Sequence, residues 1–394
     1  MRTTWTFASA TQLVFGRGAA AQLGDSLRRW GVSRVLVVTD RTLIEAGIWE
    51  RVHASLAMSA ISWELFAEGQ PEPSLRLADE CATAARRIQP QAVVGLGGGS
   101  NMDVAKMTAV LLRHAGSARD YLGDNRVPGP IAPLVCIPTT AGTGSEVSHA
   151  AAFTDTEQRV KTGMLSDYLR PKLALVDPAL THSCPPKVTA DSGIDALTHA
   201  IEAYTAVDNA HFPLPPGERS AYQGKNPMGD LFAEQAIRLC GKYLRRAVHD
   251  GDDAEARDGM ALAATLAGLA FSNVGVALVH ALEYAVGGLV PVSHGAGNGL
   301  LLPFVMQFNL PGREAEFCRI AEWLGEPPTP DNAIRAVEQL KKEIGIPTRL
   351  RELGISPQQL RGLAEQAHAI RRITRVNPRE AQIEDLEAIL RAAW

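Results

Sequence analysis

Along the first half of the chain, short apolar runs alternate with longer stretches whose apolar residues recur at helical spacing. "RVLVVTD" (34–40), "QAVVGLGGGS" (91–100) and "APLVCIPTT" (132–140) are β-branched runs that predict strands, and 74–88 and 102–114 read as helices between them. This β-α-β-α rhythm implies a parallel sheet covered by helices on both faces. After about residue 185 strand-like runs become scarce. Ala/Leu-rich segments follow one another at 188–205, 229–247, 254–270, 277–287, 332–344, 357–370 and 383–393, with apolar spacing nearer 3.6 than 2, so the second half should be mostly helical. Asp-Pro and Pro-Pro in "VDPALTHSCPPKVTAD" (176–191) punctuate the boundary. The expected organisation is an α/β domain over 1–185 and an all-helical domain over 186–394. Within the second, "HFPLPPGERSAYQGKNP" (211–227) carries Pro and Gly too densely for a helix.

Two domains also suit a length of 394 residues, which is long for one core. A charge of −4 supplies no global field for nucleic acid or anionic lipid, so neither is an expected partner. The N-terminal "MRTTWTFASATQLVFGRG" has no continuous apolar stretch of the signal-peptide kind, and no apolar run reaches the roughly 18–20 residues of a membrane span. The expectation is a soluble cytoplasmic protein. Five scattered cysteines, never spaced as C-x-x-C, argue against a disulfide framework and against a four-cysteine zinc site.

Four features carry candidate chemistry. "GLGGGSNMDVAK" (95–106) follows a strand and opens a helix; its glycines allow close backbone approach to a diphosphate, and the helix start supplies N–H groups and partial positive charge. Asp40, closing the strand before it, suits either the adenosine ribose hydroxyls or an N-cap for the next helix. "PTTAGTGSEVS" (138–148) is a hydroxyl-rich loop able to wrap a diphosphate or ribose, or simply a long turn. In "GIDALTHAIEAY" (193–204), Asp195 and His199 stand one helical turn apart beside an apolar face of Ile194, Leu197, Ala200 and Ile201. His280 in the apolar "VGVALVHALEY" and His294 in "PVSHGAGNG", read as a glycine-rich loop, could complete a site for Zn²⁺ or Fe²⁺, although spacing leaves these last two unconstrained.

Seven blocks occur here in order: "FGRG" (15–18), "VVTD" (37–40), "GGGSNMDVAK" (97–106), "PTTAGTGSEV" (138–147), "ALVDP" (174–178), "GIDALTHAIEAY" (193–204) and "FSNVGVALVH…SHGAGNGLLLPFVM" (271–306). Together they resemble the iron-containing (group III) alcohol dehydrogenase family over nearly the whole chain. The resemblance implies a Rossmann-like N-terminal dinucleotide domain, an all-α C-terminal domain of the dehydroquinate synthase-like fold, an active site in the cleft between them, and a homodimer. Carried over, the metal ligands would be Asp195, His199, His280 and His294, binding Fe²⁺ with Zn²⁺ as the other candidate. NAD would lie on Gly97, Gly98, Gly99 and Ser100, with Asp103 near the nicotinamide side. Thr139, Thr140 and Thr143 would line the cofactor, Lys161 would reach its ribose, and Asp40 would favour NAD over NADP.

The implied activity is hydride transfer between NAD(H) and a small alcohol or its aldehyde or ketone. Many members carry a second histidine one turn after the third ligand; this chain has Tyr284 there, whose hydroxyl is a candidate substitute in the proton relay. The 211–227 loop resembles the hydroxyacid-oxoacid transhydrogenase branch, whose members keep NAD tightly bound and pass hydride between a hydroxyacid and an oxoacid. Dehydroquinate synthase chemistry needs a basic cluster around a phosphate, and these motifs show none.

Overall fold

The computed structural model describes residues 2–157, 160–215, 217–218 and 220–394. The chain divides into two compact units, Ala8–Cys184, and Met1–Phe7 with Pro185–Trp394.

The first unit is built on a six-stranded sheet among the described residues. Its strands are β1 (Gln12–Phe15), β2 (Arg34–Val38), β3 (Ser62–Phe66), β4 (Ala92–Gly97), β6 (Leu134–Pro138) and β9 (Leu173–Val176), ordered β1-β9-β6-β4-β2-β3 and parallel throughout. Helices α1 (Leu23–Arg29), α2 (Arg41–Glu45), α3 (Ile48–Met58), α4 (Leu75–Ile88) and α5 (Gly99–Leu111) connect the strands as far as β6. Val35 and Val37 pack with Val94, Leu96, Val135 and Ile137 against α1 and α3, whereas Leu36 and Val38 pack with Val93 and Cys136 against α4 and α5. Alternate residues of one strand therefore enter two separate cores. This is why these runs are apolar at nearly every position. A smaller sheet, ordered β5-β8-β7, joins β5 (Gly123–Asp124) to an antiparallel pair, β7 (Ala150–Asp155) and β8 (Val160–Leu165).

The sheet order reverses between β2 and β4: the chain leaves β2 toward β3 on one side, and β4 toward β6 on the other. In open parallel sheets the crevice beyond the carboxyl ends at such a point is where ligands bind. Here it holds Asp40 and the turn Gly97–Ser100.

The second unit contains α6 (Pro186–Thr205), α7 (Pro227–His249), α8 (Ala254–Val274), α9 (Leu278–Leu289), α10 (His294–Asn309), α11 (Glu314–Trp323), α12 (Pro330–Glu343), α13 (Leu360–Ala369), α14 (Arg371–Thr374) and α15 (Ile383–Ala393). The α/β fold followed by an all-helical one is as the sequence implies. Among the described residues no single helix is long and apolar enough to cross a membrane; α8 and α9 pass together on length and composition but bend by 102°. His211 closes a short 3-10 helix (Asn209–His211), and the described residues from 212 to 226 are non-helical, as the composition predicts, while Pro216 and Arg219 lie outside the described residues.

One expectation is corrected. "SHGAGNG" is not a loop: Ser293 is the N-cap and His294 the first residue of α10, and Pro303 lies inside that helix. The glycines are there for packing. A Cβ on Gly295 would lie 1.9 Å from the Asp191 carbonyl oxygen, and one on Gly299 would lie 2.7 Å from Ile194 Cγ1, so α10 runs against α6 at a separation only glycine permits.

Candidate functional site

Helix α6 begins with Pro186 at its first turn, where a missing N–H costs nothing, and its apolar face is fully buried at Ile194, Leu197 and Ala200. With that face fixed, Asp195, His199 and Glu202 are also drawn out of solvent, at 2%, 5% and 4% exposure. His280 comes from the first turn of α9 and His294 from the first residue of α10. His280 Nε2 and His294 Nε2 each lie 3.9 Å from Asp195 Oδ1, and one ligand atom each of Asp195, His280 and His294 falls within 4.8 Å of the others. His199 stands beside this trio. Its Nδ1 is 3.8 Å from Asp195 Oδ2, and its ring stacks on His280 (centroids 4.7 Å apart) and on Phe271 (4.3 Å).

The outer nitrogens explain the orientation of the rings. His280 Nδ1–H donates to Glu202 Oε2 at 2.6 Å, and His294 Nδ1–H donates to Glu283 Oε2. A carboxylate only accepts, so both imidazoles are held as Nδ1–H tautomers with the Nε2 lone pairs facing Asp195. Asn298, one turn along α10 from His294, confirms the inward side as an acceptor cluster. Its Nδ2 donates to Asp195 Oδ1 at 2.8 Å and lies 3.2 Å from both Nε2 atoms. Burial alone would raise the Asp195 carboxyl. Positive charge in the cluster, on protonated His199, His294 and His280, together with the Asn298 amide outweighs it and holds the group below the usual carboxylate range; with the imidazoles neutral, that positive charge would have to come from a bound cation. Convergent imidazole lone pairs and a carboxylate, each buttressed from behind, fit a divalent first-row metal ion.

Glu202 does more than orient His280. Its two oxygens also accept the N–H groups of Ala277 and Val279, at 2.9 and 2.7 Å, which are orphan donors at the start of α9. Sequence reading missed Glu202, Glu283 and Asn298. For Glu202 and Asn298 a signal was present, since they follow His199 by three residues and His294 by four. Tyr284 is half-buried, with its ring centroid 5.9 Å from that of His294.

In the first unit the glycine turn and the hydroxyl-rich loop meet. Gly97 has φ +146°, and a Cβ there would lie 2.2 Å from Asn101 Nδ2. A Cβ on Gly99 would lie 2.8 Å from Thr143 Cγ2, and one on Gly98 would lie 3.5 Å from Thr140 Oγ1. Thr139 N–H donates to the Gly97 carbonyl at 3.0 Å. Ser100 is in the first turn of α5, whose N-cap, Gly98, offers no side chain to the helix start. Asp40 combines its two sequence readings: Oδ1 caps α2 by accepting Leu43 N–H at 3.0 Å, and Oδ2 accepts Asn101 Nδ2 at 2.7 Å, tying it to the glycine turn.

Asp103 and the previously unremarked Lys106 staple this loop in place. Asp103 accepts Ser145 Oγ at 2.8 Å and Ala152 N–H at 2.9 Å; Lys106 Nζ, fully buried, donates to Ser145 Oγ at 2.9 Å and to the Ala150 carbonyl at 2.7 Å. Burial pushes the Lys106 amine below its ordinary value despite the nearby Asp103. Lys161 is half-buried, and its amine pairs with Glu72 at 3.0 Å.

Comparison with known proteins agrees with this geometry. Residues 10–178 match the model of the iron-containing alcohol dehydrogenases, and residues 218–394 match the C-terminal model of the Fe-containing alcohol dehydrogenase family. The chain is 36% identical to the NAD-dependent methanol dehydrogenase of Bacillus methanolicus over 387 residues, covering 96% of this chain and 97% of that one. It is 33% identical to the mitochondrial hydroxyacid-oxoacid transhydrogenase of Xenopus laevis, covering 99% and 91%. A crystal structure of 1,3-propanediol oxidoreductase superposes with a TM-score of 0.92 at 34% identity, covering 99% of this chain and all of that one. A sheet with its crevice at the glycine turn, a buttressed histidine–carboxylate cluster and end-to-end similarity lead to one assignment: the chain belongs to the iron-containing alcohol dehydrogenase family.

Proposed function

We propose that the protein is a metal- and NAD-dependent dehydrogenase that interconverts a small alcohol and its aldehyde or ketone. The observation carrying this reading is the convergence of Asp195, His280 and His294 on one another with both imidazole Nε2 atoms facing the carboxylate. These residues, with His199 from the next turn of α6, would hold the metal. A bound ferrous or zinc ion supplies Lewis acidity to the alcohol oxygen, and NAD supplies the hydride acceptor.

The remaining work falls to the chain. Glu202 and Glu283 keep the histidines in their ligating tautomers, and Asn298 orients the Asp195 carboxylate. Phe271 covers one face of His199 and keeps water from it. Tyr284, half-buried beside His294, would relay the alcohol's proton, its hydroxyl oxygen accepting that proton as its own O–H passes to solvent, while the carbinol carbon gives up its hydride to NAD. In the α/β unit, Gly97, Gly98, Gly99 and Ser100 receive the diphosphate, and Thr139, Thr140 and Thr143 flank it. Asp103 keeps that loop placed on the nicotinamide side, Lys161 reaches the ribose, and Asp40 accepts the adenosine ribose hydroxyls and repels a 2′-phosphate.

Hydroxyacid-oxoacid transhydrogenation is the second reading, and the 211–227 loop and the similarity to the Xenopus laevis enzyme favour it. The deciding assay follows free NADH. The dehydrogenase releases it from alcohol and NAD alone; strict dependence on an added oxoacid would overturn this reading in favour of the second. Five cysteines, all free, suit the reducing cytoplasm, and a homodimer is the assembly the family resemblance implies.

A further inference from the structure

Of the two carboxylates behind the histidines, Glu283 has the less expected position. It stands next to Tyr284 on α9 and is 0% exposed. A carboxylate is rarely buried this deeply unless it is paired, and the partner here is the Nδ1–H of His294. The neighbouring helix leaves room for that pairing. Gly297 follows His294 by one turn, and a Cβ there would lie 2.8 Å from Glu283 Cγ and 3.4 Å from its Oε1. Any side chain at 297 would press the carboxylate away from the histidine.

His294 also needs such a partner more than His280 does. Its side chain is 27% exposed against 3% for His280, and it occupies the first position of its helix, where surrounding packing constrains the ring least.

We propose that Glu283 is a positioning residue for the metal: it fixes the tautomer and rotation of His294, strengthens the imidazole as a donor, and thereby sets how tightly the site holds a divalent ion. The inference rests on the metal-centre reading above. Glu202 serves His280 in the same way but also caps α9, so its loss damages a helix start as well. Glu283 therefore gives the cleaner test.

The test uses full-length protein stripped with a chelator and titrated with Co²⁺ against a chromophoric competitor, with the visible cobalt spectrum recorded. Glu283→Ala should weaken cobalt affinity by about 10–100-fold and alter the spectrum. Glu283→Gln, which keeps an acceptor oxygen, should recover most of the affinity, and Gly297→Ala, which leaves the acid in place but crowds it, should fall between. Glu283→Ala and Gly297→Ala proteins that bind cobalt like the parent, with an unchanged spectrum, would overturn the proposal while Asp195→Ala still loses the metal. A parent that binds no cobalt, or an Asp195→Ala protein that binds it equally well, overturns the metal-centre reading and the proposal with it. Glu283→Gln and Gly297→Ala keep the question answerable if Glu283→Ala does not fold.

Discussion

Glycines cluster at both candidate sites, and they do opposite work. At 97–99 they shape a turn: Gly97 takes a left-handed backbone conformation, and the missing side chains let Asn101 and Thr143 close over the strand-to-helix junction. At 295–299 they sit inside a regular helix and act through what they lack. Gly295 and Gly299 let α10 approach α6, and Gly297 leaves space for the Glu283 carboxylate. A cofactor loop needs backbone that a ligand can reach; a metal centre needs helices close enough for ligands from three of them to meet. The same residue type supplies either.

The contrast is broken most forcefully at Gly295. Gly295→Ala puts a methyl 1.9 Å from a backbone oxygen that cannot move away, so α6 and α10 must separate. Unfolding by denaturant should show a loss of about 3 kcal/mol or more, accompanied by loss of metal. An unchanged midpoint would mean the helices are not held at that distance.

Gly97→Ala tests the other kind of glycine. The positive φ and the clash with Asn101 should cost about 2 kcal/mol and weaken NAD binding, while metal content stays at the parental value. Equal loss of metal would show that the two glycine clusters are not separable in their effects.

Asp40→Ala removes a cap and the acceptor for Asn101, with an expected loss of about 1 kcal/mol. The sharper readout is selectivity: turnover with NADP should rise relative to NAD, because the charge that repels a 2′-phosphate is gone. An unchanged ratio would leave Asp40 as a cap only.

The last prediction shows only as a pH dependence and concerns how α10 is tethered from its far side. Lys341 on α12 donates to the Leu300 carbonyl at 3.1 Å, and burial pushes its amine down to about 8. An unfolded lysine titrates near about 10.4, so between these values the unfolded chain binds more protons and stability should rise with pH. Below about 8 both states are protonated and the burial penalty is fully present. Subtracting the profile of Lys341→Met from that of the parent isolates this rise; a flat difference would contradict it.

How much of this was legible beforehand follows from what each residue does. β2, β4 and β6 announce themselves because strands buried on both faces must be apolar throughout, and α4 because one face must repeat every turn; α6 and α8 are buried nearly all round and show instead as long Ala/Leu-rich runs. Helix α10 hides. Its three glycines and internal Pro303 mimic a loop, and only the neighbouring helices explain the glycines: α6 for Gly295 and Gly299, α9 for Gly297. β7 and β8 also escape notice, with alanine and polar residues in place of β-branched runs. Asp195 and His199 are visible as an i,i+4 pair, whereas His280 and His294 come from other helices and only the family resemblance joins them to it. Glu283 could not be read at all, because its role depends on burial and on the space above a glycine in another helix.

The central claim is that the α6–α9–α10 cluster holds a metal required for turnover. Metal content and free NADH formation from alcohol, measured on anaerobically purified parent and Asp195→Ala proteins, test it together. The account predicts a stoichiometric divalent ion and turnover in the parent, with the ion lost and activity down by about a thousandfold or more in the variant. Full activity in Asp195→Ala, or turnover by a parent stripped of metal, would contradict it.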